Sequence, residues 1–103
     1  MPPVSNQHVQ SRLAEIERLL GSDPGSADTK ASELLQAVPD EPMAQLYQGI
    51  ARRLLGNPVA AIEVLRPLAE QWPDAPMPYL QLGLALREAG DNSAAADSMR
   101  RAV

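Results

Sequence analysis

Apolar residues recur along this chain at spacings of three and four, which marks one face of a helix. Val9, Leu13, Ile16 and Leu20 form the first such stripe and predict a helix from about Asn6 to Leu20. Gly21-Ser22-Asp23-Pro24-Gly25-Ser26 reads as a turn. Asp23 is placed to cap a second helix with Pro24 in its first turn, where the missing N–H costs nothing; Ser26 is the alternative cap. That second helix carries Ala27, Ala31, Leu34, Leu35 and Val38, and Pro39 ends it. Asp40 is expected to cap a third, with Pro42 in its first turn and apolar positions from Met43 to Leu55. Gly56 stops it, and Asn57-Pro58 opens a fourth that reaches Trp72. Pro67 inside the fourth removes the hydrogen bond to the Glu63 carbonyl and predicts a kink. The fifth begins near Pro76 and ends at Gly90. From Tyr79 to Leu86 it is apolar except for Gln81 and Gly83, which predicts burial on more than one side. The sixth, from about Asn92, carries Ala94 to Ala96, Met99, Ala102 and Val103.

These six segments repeat. Displaced by about 34 residues, Pro39-Asp40-Glu41-Pro42-Met43 falls on Pro73-Asp74-Ala75-Pro76-Met77, Gly49 on Gly83 and Gly56 on Gly90. Ala27, Ala61 and Ala95 coincide in the same register. The chain therefore predicts three helix pairs, approximately 6–39, 40–73 and 74–103, forming one domain over 1–103.

Composition narrows the chemistry. Hydrophobic residues make up 45% of the chain, so it is not disordered by composition. With three aromatics, Tyr47, Trp72 and Tyr79, the core must be aliphatic. The formal net charge is -4, and residues 1–51 hold three basic against seven acidic side chains. A phosphate-binding surface needs clustered positive charge, so nucleic acid is not an expected partner. No stretch approaches a transmembrane span, and Met1 to Asn6 lacks the basic start and apolar run of a signal peptide, so a cytoplasmic location is expected and no membrane partner. There is no cysteine, and His8 is the one histidine, a surface residue at a helix start without a second ligand beside it. No phosphate loop and no nucleophile–base pair stands in a recognisable motif. No cofactor, no metal and no enzymatic activity are expected of this segment.

The third pair carries a family resemblance. Tyr79, Leu82, Gly83 and Leu86 are spaced aromatic-x-x-Leu-Gly-x-x-large, and Ala95, Met99 and Ala102 follow as Ala-x-x-x-large-x-x-Ala. This resembles the tetratricopeptide repeat, a helix-turn-helix unit of about 34 residues. Gly83 and Ala95 would let the two helices of a pair approach closely while Leu82, Leu86 and Met99 fill the space around them. The second pair keeps Gly49, Ala61 and Pro73 but has Gln45 and Gln48 where the motif has an aromatic and a leucine; the first has Glu15 in place of the glycine. The resemblance implies an all-α, right-handed α-α superhelix of three pairs. The leucine-rich runs also resemble the N-terminal repeats of bacterial proteins that join such repeats to a sulfotransferase domain. The chain would then be the N-terminal part of a longer protein, and the alternative function is a regulatory or oligomerising domain of an enzyme. No phosphosulfate-binding loop is present, so that activity does not carry over.

In this family the groove is lined by the first helix of each pair. Carried over residue by residue, the lining is Val9, Arg12, Ile16 and Leu19, then Met43, Leu46, Ile50 and Arg53, then Met77, Leu80, Leu84 and Arg87. The resemblance thus implies a protein-interaction scaffold holding a peptide or helix, with Arg12, Ile16, Leu46, Ile50, Arg53, Leu80, Leu84 and Arg87 as its binding residues. The plainer alternative is that several of these aliphatics only pack between neighbouring helices. Arg53 and Arg87, one repeat apart, read either as a ladder for a carboxylate or as solvated surface arginines. Trp72 is expected to pack between the second and third pairs, a surface anchor being the alternative. Finally, stacked repeats need a polar outer face at their ends. Ala95, Met99 and Ala102 on the sixth helix read as an uncovered apolar edge, which predicts self-association as a homodimer or a cover from residues beyond Val103.

Overall fold

The computed structural model describes residues 5–103. Among them are six helices and no strand: α1 (Asn6–Ser22), α2 (Pro24–Ala37), α3 (Pro42–Leu54), α4 (Pro58–Gln71), α5 (Pro76–Glu88) and α6 (Asn92–Arg101). They form three helix-turn-helix pairs stacked as a tetratricopeptide-like helical superhelix. The stack measures 46 × 27 × 19 Å, as expected where each pair meets only the next.

Local chemistry sets the helix ends. Ser5, Asp23, Asn57 and Asp91 each accept a hydrogen bond from a backbone N–H in the first turn of the following helix. Asp23 is therefore the cap of α2, and Ser26 donates to it through both N and Oγ. Those bonds hold the exposed Asp23 carboxyl below its usual range. At α3 the expected cap is corrected. Glu41, not Asp40, accepts from the Met43 and Ala44 amides, because its longer side chain folds back over the first turn while Asp40 lies one residue further out.

Gly56 and Gly90 end α3 and α5 with φ of 80° and 94°. In each case the residue after the glycine donates to a carbonyl five residues back, Asn57 to Arg52 and Asp91 to Leu86, and the glycine donates to Arg53 or Arg87. This left-handed closure is open to glycine because no Cβ obstructs it. In the first pair the same register holds Ser22. The expected six-residue turn there is absent: α1 continues to Ser22, and Asp23 alone separates it from α2. Gly21 is one residue out of register, so it sits inside the helix instead of terminating it.

Two apolar cores share α3 as their common wall. Val9, Leu13, Ile16, Ala27, Ala31 and Leu34 meet Ala44 and Ala51 on one side. On the other, Leu46 joins Leu65, Leu68, Tyr79, Leu82, Leu86 and Ala95. The helices of a pair lie close where the glycines stand. A Cβ built on Gly49 would come within 2.5 Å of the Leu65 side chain, and one on Gly83 within 2.8 Å of Met99 Cγ and 3.2 Å of the Ala95 carbonyl oxygen. The first pair reverses this fit: Glu15 replaces the glycine and ion-pairs with Lys30 at 3.1 Å, while fully buried Ala31 replaces the large residue. The apolar run of α5 predicts burial on more than one side, but the buried residues, Tyr79, Leu82, Ala85 and Leu86 among them, share one broad face, and Leu80 and Leu84 on the other side are only partly buried. Pro67 lies inside α4, which continues as one helix to Gln71.

The pairs are tilted relative to one another. α1 contacts α3 and α3 contacts α5, whereas α2 does not reach α4, nor α4 reach α6. One side of the stack is closed by its first-in-pair helices, and the other opens into clefts.

Candidate functional site

The closed side is stitched by side chains from successive repeats. The Tyr47 hydroxyl on α3 donates to Glu17 Oε2 on α1 at 3.1 Å. Burial, and then this carboxylate, push the Tyr47 hydroxyl up to about 12. Arg53 on α3 donates through Nε to Gln81 Oε1 at 3.2 Å and through Nη1 to Glu88 Oε1 at 2.9 Å, both on α5. Within and between pairs, buried Gln48 donates to Ser32 Oγ at 2.7 Å, which satisfies a polar group where the family motif has a leucine. Gln45, in the aromatic position, donates to the Pro39 carbonyl. Asp28 Oδ1 faces Arg52 Nε at 3.6 Å, too far for a hydrogen bond, so that contact is purely coulombic.

Subtracting the buried side of α5 leaves Met77, Leu80, Gln81, Leu84, Arg87 and Glu88 on one stripe. Gln81 and Glu88 are the residues Arg53 reaches, so this stripe lies on the seam with α3. Leu80 and Leu84 are half-buried along it, as is Ile50 beside the core. Met43 and Met77 are exposed at the first turns of α3 and α5. Arg87 is exposed near the opposite end.

The other expected lining residues lie elsewhere. Ile16 and Leu46 are buried in the two cores at 1% and 5% exposure, because each faces the neighbouring helices and not the open surface. Arg12 lines a shallow hollow against α2 with His8, Glu33, Leu34 and Ala37. The arginine ladder is divided: Arg53 is held by Glu88 and Gln81, leaving Arg87 without a side-chain partner among the described residues.

The expected edge on α6 turns inward. Ala95 is buried, Met99 lies over Gly83, and Ala102 packs against the core. The outer face carries Ser93, Ala96, Asp97 and Arg100, with Asp97 and Arg100 ion-paired. The alanines of α6 allow apolar stripes on more than one side, and the side with Ala95 and Met99 is the one that faces the core.

Trp72 stands between the second and third pairs as expected but is not covered there. It caps the end of α4, remains 46% exposed, and helps line a wholly apolar hollow of about 240 Å³ with Met43, Leu46, Leu68, Met77 and the prolines 42 and 78. Reading single helices could not assemble this hollow, although the repeated Pro42-Met43 and Pro76-Met77 supplied a signal. Among the described residues no cluster of three His, Cys, Asp or Glu side chains could hold a metal ion, and no helix is long and apolar enough to cross a membrane.

No curated protein and no solved structure matches the chain, and nothing in these comparisons supports the sulfotransferase resemblance. Residues 43–75, most of α3 and all of α4 with the turn that follows, match the family model of the tetratricopeptide repeat, so over that pair the chain is similar to a family of helical repeats that mediate protein–protein interactions.

Proposed function

We propose that this chain is a protein-interaction module that holds a peptide or helix of a partner protein along the seam of α3 and α5. The observation that carries the reading is the unburied stripe of α5. Leu80 and Leu84 lie there with Ile50 of α3, only partly buried, whereas Leu46, Leu82 and Leu86 of the same two helices are buried in the core. An apolar strip on a rigid scaffold favours association because covering it removes apolar surface from water without reordering the backbone. Exposed Arg87 at one end of the strip offers a charge-assisted hydrogen bond to a carboxylate of the bound segment. Arg53 serves this reading by holding α5 against α3.

The test is affinity capture from extracts of the cells that make the protein, with wild type and Leu84→Glu compared at equal loading. Circular dichroism first establishes that the variant is folded. A partner enriched by wild type and lost in Leu84→Glu is expected. Identical captured sets, or none above background, would overturn the assignment.

A further inference from the structure

We infer that the hollow between Met43, Trp72 and Met77 is an anchor site for a basic amphipathic segment of a partner protein, taking one large apolar side chain flanked by Lys or Arg. The inference rests on the module reading above and adds the chemistry of one end of the bound segment. The three residues are 39%, 46% and 46% exposed, although they are among the largest apolar side chains present. They gather round about 240 Å³ of space with no polar lining. That volume is below what a drug-sized ligand needs and suits a single side chain.

Charge decides what surrounds that side chain. Asp74 stands between Trp72 and the Ala75 that completes the lining, and Asp40 stands one repeat earlier, two residues before Pro42. Both are exposed and neither has a hydrogen bond or ion pair among the described residues. No Lys or Arg occurs between positions 31 and 51 or between 67 and 86. The segments that line the hollow therefore carry acidic side chains and no basic one, which favours a cationic partner and disfavours an acidic one. With Arg87 at the far end of α5, the strip is acidic at one end and basic at the other, so a bound segment would have a fixed direction.

Trp72 is the sole tryptophan and reports on its own hollow. The probes are two synthetic tryptophan-free amphipathic helices, one of Leu and Lys and the other of Leu and Glu. A saturable change in Trp72 emission is expected with the Leu/Lys peptide only. It should weaken severalfold in Met77→Ser, which removes apolar lining without adding charge, in the Asp40→Asn/Asp74→Asn pair, and at high salt, because exposed charges are screened. The same response to both peptides, no saturable response, or an unchanged response in Met77→Ser would overturn the inference. Emission that changes with protein concentration alone would assign the hollow to a second copy, and so overturn it too. If capture of a partner depends on Leu84 but not on Met77, the anchor fails while the module reading stands; dependence on neither removes both.

Discussion

Gly49 and Leu65 occupy one contact: a Cβ at position 49 would lie 2.5 Å from both Cγ and Cδ2 of the leucine. Leu65 is fully buried and cannot swing aside, and Cγ is not a free chain end. Replacing a helical glycine by alanine ordinarily stabilises by about 1 kcal/mol. Here overpacking should reverse the sign, and Gly49→Ala is expected to destabilise by roughly 1–3 kcal/mol. At Gly83 the nearest neighbour is the flexible Met99, so Gly83→Ala should change stability by less than about 1 kcal/mol, while Gly83→Leu should cost roughly 1–3 kcal/mol. Thermal melts of the three variants check the order. A Gly49→Ala protein that melts higher than wild type would contradict the close contact.

Helix α5 lacks a side-chain cap, because Ala75 stands in the register of Glu41. Ala75→Asp should add about 1 kcal/mol by accepting a first-turn N–H, as Asp91 does at α6. Urea unfolding reads the gain as a shift in midpoint without a change in slope. No shift would mean that the half-buried position opposes the charge.

Pro67 deprives α4 of one internal hydrogen bond and is itself exposed. Pro67→Ala restores an N–H towards the Glu63 carbonyl and should stabilise by roughly 1–3 kcal/mol. A lower melting temperature would show instead that the shape proline imposes on α4 is required by the stack.

The Tyr47 hydroxyl supplies a pH dependence. Its value is 10 in an unperturbed tyrosine and is pushed up to about 12 in the fold, so between these limits the folded state keeps a proton that the unfolded state loses. The stability it contributes is complete below pH 10 and is lost as the pH rises through about 12. Melting temperature should fall across that window, less steeply in Tyr47→Phe. Ultraviolet titration should lose one of two tyrosinate contributions in Tyr47→Phe, the one that appears near pH 12, while Tyr79 still ionises.

Met99 tests the corrected face of α6. Because its side chain covers Gly83, Met99→Glu should lower the melting temperature, since it places a carboxylate against the Ala95 carbonyl and the core. Unchanged stability together with a loss of self-association would restore the outward assignment.

The sequence by itself determined the number of helices, their order and most of their ends. Those features depend on residues next to one another: a proline in a first turn, an Asp or Asn before it, a glycine able to take positive φ. It also determined the close approach at Gly83, because a glycine and Ala95 stand at the spacing where two helices of a pair touch, with Met99 beside them. The first turn escaped it for a local reason, a glycine one residue out of register. Face and exposure were decided only by the tertiary structure. Ile16 and Leu46 share the periodicity of Leu80 and Leu84, yet the first two are walled in by neighbouring pairs and the others are not. Arg53 has the spacing of a free groove arginine, but Glu88, 35 residues away, claims it. Which side of alanine-rich α6 turns inward, and whether Trp72 is covered, depend on the angle at which one pair meets the next. That angle is set by the sum of many weak contacts between pairs, and no single residue spells it.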